Sequence, residues 1–449
     1  MKLLLISWYF PPVNTIGAVR VGKFARFLFE HGHELGVVAG KGWGYTETMP
    51  LEFPLERVAY VKPVDMSFLA NLPQRVLKPL ASRVRPAPNS PLTSPIGRNA
   101  AETHNSKRPS ILSGLSTFYS QLTTIPDNRA GWLGGAYRAG LRLCRDWQPD
   151  LIFASGPPFT AFLIAKRLSK HLGVPWVAEL RDKWADDPYD TSPPWRAAID
   201  QWLEKRVLGT AQALVTVTEP WAEFYRGKYD KPVATIYNGY DPLDFNVSPS
   251  SQPSPNRSHL EIGYAGSIYP GRRDPSPLFE ALRLMGEAGN RFRVVFCGTD
   301  PGHVLPLADR ARVRHLIEVR PGVPYKQSLA FQQQSDVLLL MQWNDPREQG
   351  NCPAKFFEYV ASLRPMLILG LENGVPATIA HQRHAGICLN DPKLIAAQLQ
   401  KWLDEKDQFG GVRPLPESAR EGLSRNLQFE KLEKFLIETS ARLAPGRPT

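Results

Sequence analysis

Gly350-Asn351-Cys352-Pro353-Ala354-Lys355-Phe356-Phe357-Glu358-Tyr359-Val360-Ala361 reads as a loop that feeds straight into a helix. Pro353 suits a first helical position, where its missing N–H costs nothing and its fixed φ already matches the helix. Phe356, Val360 and Leu363 then share one face, and Lys355 and Glu358 share another. With Pro353 as the first helical residue, Cys352 becomes the N-cap, and a thiol caps poorly. The first-turn N–H groups are then left for an anion such as a phosphate. Glu358, one turn further on, is placed to accept two hydrogen bonds from a ribose diol. Read alone, the same residues also describe an ordinary amphipathic helix with a weak surface Lys–Glu pair. The surrounding chain decides between the two.

Around this stretch, short apolar runs alternate with helical stripes. Leu260–Ala265, Phe292–Cys297, Val337–Met341 and Met366–Leu369 read as strands. Residues 275–286, 325–334 and 393–403 read as helices, and a last helix covers about 429–443. Strands that are apolar throughout belong to a parallel sheet covered on both faces. Upstream, 246–258 is a polar stretch rich in Ser and Pro and marks a domain boundary.

The same rhythm precedes that boundary. Leu3–Ser7 and Glu34–Ala39 are strands on either side of a helix over 18–31, in which Val21, Phe24, Ala25 and Leu28 form one stripe. Parallel α/β sheets hold ligands at the carboxyl ends of their strands, so the loop from Trp8 to Gly17 is a candidate ligand loop. It lacks GxGxxG, which leaves a nicotinamide cofactor without support. A helix over 133–147, strand Leu151–Ala154, a helix ending at Leu172 and strand Val174–Ala178 follow. Glu179-Leu180-Arg181-Asp182-Lys183-Trp184 stands at the carboxyl end of that strand, where charged residues are more often functional than structural. A helix over 195–208 and strands Ala213–Val217 and Val233–Tyr237 complete the half. Two consecutive α/β domains imply a ligand-binding cleft between them.

A length of 449 residues calls for at least two domains. The formal net charge of +11 favours polyanions, phosphorylated ligands or an anionic membrane surface. Cys144, Cys297, Cys352 and Cys388 show neither CxxC nor Cys/His spacing, which argues against structural zinc and fits a reducing, cytoplasmic compartment. The apolar start is too short for a signal peptide, and no run approaches the length of a spanning helix. Residues 62–130 look irregular. Between Arg75 and Arg108, seven basic residues face the single acid Glu102, next to Phe68, Leu69, Leu72, Val76 and Leu77. This segment reads either as one that docks on the inner face of a membrane or as a solvated insertion. It lacks interleaved aromatics, and no nucleic-acid-binding motif is present, so no nucleic-acid partner is expected.

Several motifs are more specific. Ile262-Gly263-Tyr264-Ala265-Gly266-Ser267-Ile268-Tyr269-Pro270-Gly271-Arg272-Arg273-Asp274 resembles the strand and loop of family-four glycosyltransferases with the GT-B fold, in which basic residues after the glycine grip the donor's phosphates. Tyr237-Asn238-Gly239-Tyr240-Asp241 is similar to the family's segment entering the linker. The 353–365 stretch resembles its donor helix, whose Glu holds the nucleotide ribose. Pro11-Pro12 to Gly17, with Arg20, resembles its N-terminal loop. Arg181-Asp182-Lys183-Trp184 is similar to the Arg-Asp-x-Trp of bacterial polysaccharide-assembly members. There is one departure: counting back from Glu358, the family's first Glu falls on Gly350, and Glu348 stands two positions too early. Ser267 likewise stands where some members carry Arg.

The resemblance implies an α/β protein of GT-B type, with two Rossmann-like parallel-sheet domains facing across a cleft. An acceptor domain would span 1–245 and a nucleotide-sugar donor domain 259–428, with the helix over 429–443 packing back on the first. It implies a retaining, metal-independent, hexosyl-type transferase acting on a lipid-linked or polysaccharide acceptor, without cofactor. Arg272, Arg273 and Lys355 would stabilise the leaving diphosphate, and Asp182 would contact the acceptor hydroxyl. Gly17, Gly266, Asn351, Ala354 and Glu358 would bind donor, and Arg20, Arg181 and Trp184 would line the acceptor side. Arg20 is alternatively a helix-surface charge, and Asp182 the partner of Arg181 in a salt bridge. A sugar-nucleotide 2-epimerase of the same architecture is the alternative enzyme. A non-catalytic basic binding protein is the alternative of another class.

Overall fold

Leu3, Leu4, Leu5 and Ile6 are fully buried, as an uninterrupted apolar strand must be when helices cover both faces of its sheet. The structure, a computed structural model, describes residues 1–42, 44–65, 118–119, 121–245 and 258–441. The basic 75–108 segment with its apolar neighbours, and most of the 246–258 stretch, lie outside the described residues. The chain divides into two compact units. One comprises Met1–Val217, Trp221–Thr235 and Leu432–Thr449, and the other Thr218–Pro220 and Ile236–Lys431.

In the first unit, β1 (Lys2–Ser7), β2 (Glu34–Gly40), β3 (Arg57–Val61), β4 (Leu151–Gly156), β5 (Trp176–Leu180), β6 (Ala213–Thr216) and β7 (Val233–Thr235) form one parallel sheet. Its order is β3-β2-β1-β4-β5-β6-β7. Ile6 stands between Val38 of β2 and Ala154 of β4. Helix α1 (Ile16–Glu30) joins β1 to β2. α2 (Leu133–Leu143), α3 (Thr160–Leu172), α4 (Pro194–Leu208) and α5 (Glu219–Lys228) follow β3, β4, β5 and β6 in turn. The strand order reverses at β1, so the loops after β1 and β4 diverge and leave a crevice at their carboxyl ends. Trp132, Phe162 and Trp176 fill the core beneath the helices that follow β3 and β4.

The second unit repeats the plan. β8 (Leu260–Ala265), β9 (Phe292–Cys297), β10 (Ile317–Arg320), β11 (Val337–Met341), β12 (Met366–Leu369) and β13 (Gly386–Cys388) lie parallel in the order β10-β9-β8-β11-β12-β13. Its helices are α6 (Ser276–Leu284), α7 (Pro301–Arg310), α8 (Tyr325–Gln334), α9 (Ala354–Ala361), α10 (Val375–Gln382), α11 (Pro392–Phe409) and α12 (Arg425–Ala441), the last continuing into the first unit. Here the reversal falls at β8, which places the loops after β8 and β11 on either side of the crevice.

Two parallel-sheet α/β units are therefore what the sequence leads one to expect. The edge strands β3, β10 and β13 and helices α7 and α10 are additions. An edge strand needs only one apolar face, β13 is three residues long, and Pro306 interrupts the helical signal of α7. The second unit begins at Ile236, ahead of the Ser- and Pro-rich stretch. Tyr240 and Phe245 pack in one core with Phe357 and Tyr359, and Arg425 Nη2 donates to the Gly239 carbonyl at 3.3 Å. From Leu432 onward α12 clusters with the first unit, where Glu433 hydrogen-bonds His33 Nε2 at 2.6 Å.

Candidate functional site

In the second unit the site is built where β8 ends against the start of α9. Lys355 Nζ donates to the Ala265 carbonyl at 2.7 Å and to Tyr264 Oη at 3.3 Å, and lies 4.3 Å from the Tyr264 ring centroid. Tyr359 Oη, on the next turn, accepts the Ala265 N–H at 3.0 Å, so α9 is hooked to the strand end at two points. Gly266 is required there: its φ is +121°, and a Cβ on it would lie 2.7 Å from Lys355 Nζ. Burial first, and then the neighbouring Arg273, push the Lys355 ammonium down to about 7.

The backbone N–H groups of Arg272 and Arg273 both donate to the Tyr269 carbonyl, which closes the loop after β8. Arg273 stacks on Tyr269 with its guanidinium carbon 4.5 Å from the ring centroid, and Arg272 approaches Trp343 to 5.0 Å. Glu358 Oε2 accepts from Gln332 Nε2 at 3.1 Å. Burial raises the Glu358 carboxyl above the ordinary range, against the pull of Gln332, Arg425 and Lys355.

The helix begins one residue later than the sequence suggests. Pro353 has extended backbone, ψ 145°, and is itself the N-cap, without a side-chain capping bond; Ala354 is the first helical residue. Cys352 is buried and its thiol is raised by burial, which removes it as a nucleophile. The missing first Glu has a conformational cause. Gly350 holds φ +93°, a region in which a side chain is strained, and its carbonyl accepts from Thr218 Oγ1 at 2.6 Å. Glu348 is buried, and its Oε1 accepts from Asn351 Nδ2 at 2.9 Å, so this carboxylate holds the loop. Gln342 Nε2 fixes the Asn351 carbonyl from the other side at 2.9 Å.

In the first unit the crevice carries Arg181, Asp182 and the loop after β1. Arg181 donates to the carbonyls of Gly156, at 3.2 Å, and Pro157, at 2.5 Å, rather than pairing with Asp182. Asp182 keeps solvent access while protein crowds it, and that desolvation lifts its carboxyl to about 6 against the opposing Arg181 charge. Arg20 is neither acceptor-facing nor a surface charge. It is buried, with Nε and Nη2 on Glu179 Oε1 at 3.0 and 2.8 Å, and Ser155 Oγ donates to Glu179 Oε2 at 2.5 Å. Burial alone would raise Glu179, but Arg20, Ser155 and Arg181 outweigh it and hold the carboxyl low. Trp184 is likewise a core residue, stacked on Phe159 at 5.0 Å, because the chain turns inward after Lys183. It anchors the Asp182 loop rather than lining it. Among the described residues no group of three or more His, Cys, Asp and Glu is placed to hold a metal ion.

Gly17 opens α1 beside Arg181. A Cβ there would lie 2.5 Å from Arg181 Nη1 and 3.0 Å from Tyr9, so Gly17→Ala displaces the Arg181 side chain. Alanine also favours the helix by up to about 1 kcal/mol over glycine. The expected result is lower activity with an unchanged or raised melting temperature; steady-state rates and calorimetry on one preparation check it.

Gln332, Trp343 and Glu204 escape sequence reasoning. Trp343 follows β11 directly at the crevice end, which is a signal. Gln332, on α8, reveals its partner only in three dimensions.

The glycosyl transferase 4-like domain model matches residues 17–239. No curated protein matches the chain. Among solved structures, a sucrose-phosphate synthase from Thermosynechococcus elongatus superposes with a TM-score of 0.63 at 12% identity, covering 98% of this chain and 100% of that one. HepE from Anabaena in complex with UDP gives 0.59 at 12% identity, covering 99% and 100%. The lipopolysaccharide outer core galactosyltransferase WaaB gives 0.55 at 11%, covering 98% and 99%. At these identities the likeness is one of fold.

Proposed function

We propose that the protein, whose residues 17–239 match the glycosyl transferase 4-like domain model, is a GT-B glycosyltransferase that moves a sugar from a nucleotide-sugar donor to a lipid-linked or polysaccharide acceptor in cell-surface glycan assembly. The observation that carries this reading is the cradle at the end of β8. Gly266 makes room for the Lys355 ammonium, Arg272 and Arg273 follow in the same loop, and Glu358 lies one turn along α9.

In this reading Glu358 binds the ribose hydroxyls. The bond from the anomeric carbon to the phosphate oxygen breaks, and the electron pair leaves on the diphosphate. Arg272, Arg273, Lys355 and the first N–H groups of α9 stabilise that charge without a metal. Asp182 takes the proton of the acceptor hydroxyl that attacks the anomeric carbon. HepE structures hold UDP and UDP-glucose, which makes a uridine nucleotide the first donor to try. Reaction on the inner face of a membrane would suit a lipid-linked acceptor.

Incubating nucleotide sugars with and without a lipid or glycan extract tests the reading. Sugar should move only when acceptor is present, with release of nucleoside diphosphate. Conversion of the donor to an isomer without acceptor would identify the 2-epimerase instead, and no turnover of any donor would support the non-catalytic alternative.

A further inference from the structure

Behind the loop that carries Asp182 lies a carboxylate with no solvent exposure, Glu204 of α4. Its Oε2 accepts the Ala185 N–H at 2.8 Å, and its Oε1 accepts from Lys228 Nζ at 2.6 Å and from Tyr229 Oη at 2.7 Å. Lys228, the last residue of α5, also donates to Asp186 Oδ2 at 2.6 Å. Burial alone would lower that ammonium, but Asp186 and Glu204 outweigh it and raise it. One residue past Asp182, the Lys183 ammonium lies 4.1 Å from the ring centroid of Phe224 on α5. Tyr225, stacked on Tyr229 at 6.2 Å, closes the same side of the network, and both rings are buried.

Stability does not explain a carboxylate in this place. Taking a charge fully out of water is costly, and a buried ion pair is often no better for stability than apolar side chains of the same size. What Glu204 supplies is direction. All three of its partners are donors: one is the backbone of the loop itself, and another is the cation that grips Asp186. Lys183, Ala185 and Asp186 are thereby fixed on α4 and α5, while Arg181 is fixed on the Gly156 and Pro157 carbonyls. Asp182 stands between these two sets of ties and is exposed. The charges that act on it directly are Arg181 and Asp187. Lys183, Asp186, Glu204 and Lys228 reach it through the loop they hold.

We propose that Glu204 and Lys228 are positioning residues for Asp182: they touch neither donor nor acceptor, and they hold its carboxyl in the place and the partly dry setting that a general base needs. The proposal rests on the reading of Asp182 as the group that takes the acceptor's proton. A misplacement of about 1 Å in such a group can cost a hundredfold in rate, so a buried ionic network three residues away has a use that core packing lacks.

Carbon-13 NMR of the full chain labelled at its aspartate carboxyls tests it, with the Asp182 signal identified by its loss in Asp182→Asn. In wild type this carboxyl should titrate at about 6. In Glu204→Gln the amide must turn an N–H toward either the Ala185 N–H or the Lys228 and Tyr229 donors, so one tie is lost. Water then reaches Asp182, and its titration should fall toward that of an ordinary aspartate. The rise of rate with pH should move down with it. Turnover should drop roughly ten- to a hundredfold with donor affinity unchanged. Lys228→Met, at the half-exposed edge of the network, should act in the same way, and serves if Glu204→Gln does not fold. Lys228→Arg keeps the charge and should restore both the titration and the rate. Circular dichroism melting shows which variants are folded. Wild-type titration and turnover in the folded variants would overturn the proposal. So would a rate that falls only with the folded fraction while the titration stays at its wild-type value. Absence of sugar transfer by wild type would remove the glycosyltransferase reading instead, and the titration would still decide whether Glu204 and Lys228 place the Asp182 carboxyl.

Discussion

Asp182→Asn will lower turnover by about two to four orders of magnitude, the usual contribution of a positioned general base, and will leave donor affinity unchanged. The loop that carries Asp182 is clamped at both ends. Arg181 donates to the Gly156 and Pro157 carbonyls, Trp184 stacks on Phe159, and the Ala185 N–H donates to the buried Glu204 at 2.8 Å. Substituting Asn keeps the shape and removes the basicity, so the fold should survive. Desolvation holds the Asp182 carboxyl at about 6. A base must be deprotonated to act, so the wild-type rate should rise with pH through about 6 and then level off. That rise should vanish in the Asn variant. Initial rates across this range at saturating donor decide the matter, and a retained limb with wild-type turnover would remove Asp182 from the chemistry.

Lys355→Met should weaken donor binding by roughly ten- to a hundredfold, the loss expected for a charge-assisted hydrogen bond to a phosphate, and should lower turnover further because the leaving diphosphate loses a cation. The pH dependence has a definite sign. In the free protein the ammonium titrates at about 7 because burial disfavours its charge, and a bound diphosphate favours that charge and raises the pKa. Binding therefore takes up a proton above about 7. Donor affinity should be full below that pH and fall as pH rises. Methionine removes both the proton uptake and the slope. Stability moves the other way: the folded-state pKa lies below the unfolded one, so the buried cation costs stability fully below about 7 and progressively less as pH rises. The Met variant should thus be no less stable at neutral pH. Calorimetric titration of UDP in two buffers of different ionisation enthalpy reads the proton uptake directly.

How much of this was legible in the chain depends on the range of the interaction. The central strands announced themselves because Leu3–Ile6 and Val337–Met341 are buried on both faces and so are apolar at every position. Of the edge strands, β7 is legible within Val233–Tyr237, whereas β3 and β10, only partly buried along their length, and β13, three residues long, carry no continuous apolar run. In the donor-side motif, Gly266, Lys355 and Glu358 stand at local signals, a strand end and a helix start, and the structure brings Gly266 and Lys355 together with Glu358 a turn further along α9. Arg20 and Trp184 carried equally suggestive neighbours, yet the side chains point inward, to Glu179 and Phe159, partners more than a hundred positions and some two dozen positions away. No local pattern encodes such a pairing. The helix start was misplaced by one residue because proline suits both N-cap and first-turn positions, and only its ψ distinguishes them. Gly350 looked like a defect in a motif, and its φ of +93° explains why glycine stands there.

The central claim is that α9 and the loop after β8 hold a nucleotide-sugar donor, and calorimetric titration of UDP and UDP-sugars into wild type and Glu358→Gln tests it most directly. Gln keeps the size of the side chain and its contact with Gln332, but a neutral amide accepts more weakly from a ribose diol, and the difference for charge-assisted hydrogen bonds is about 1.5–3 kcal/mol. Wild type should bind at least one of these ligands saturably, and Glu358→Gln should bind it at least roughly tenfold more weakly with its melting temperature retained. Equal affinity in the two proteins, or binding of no nucleotide sugar by wild type, would contradict the account.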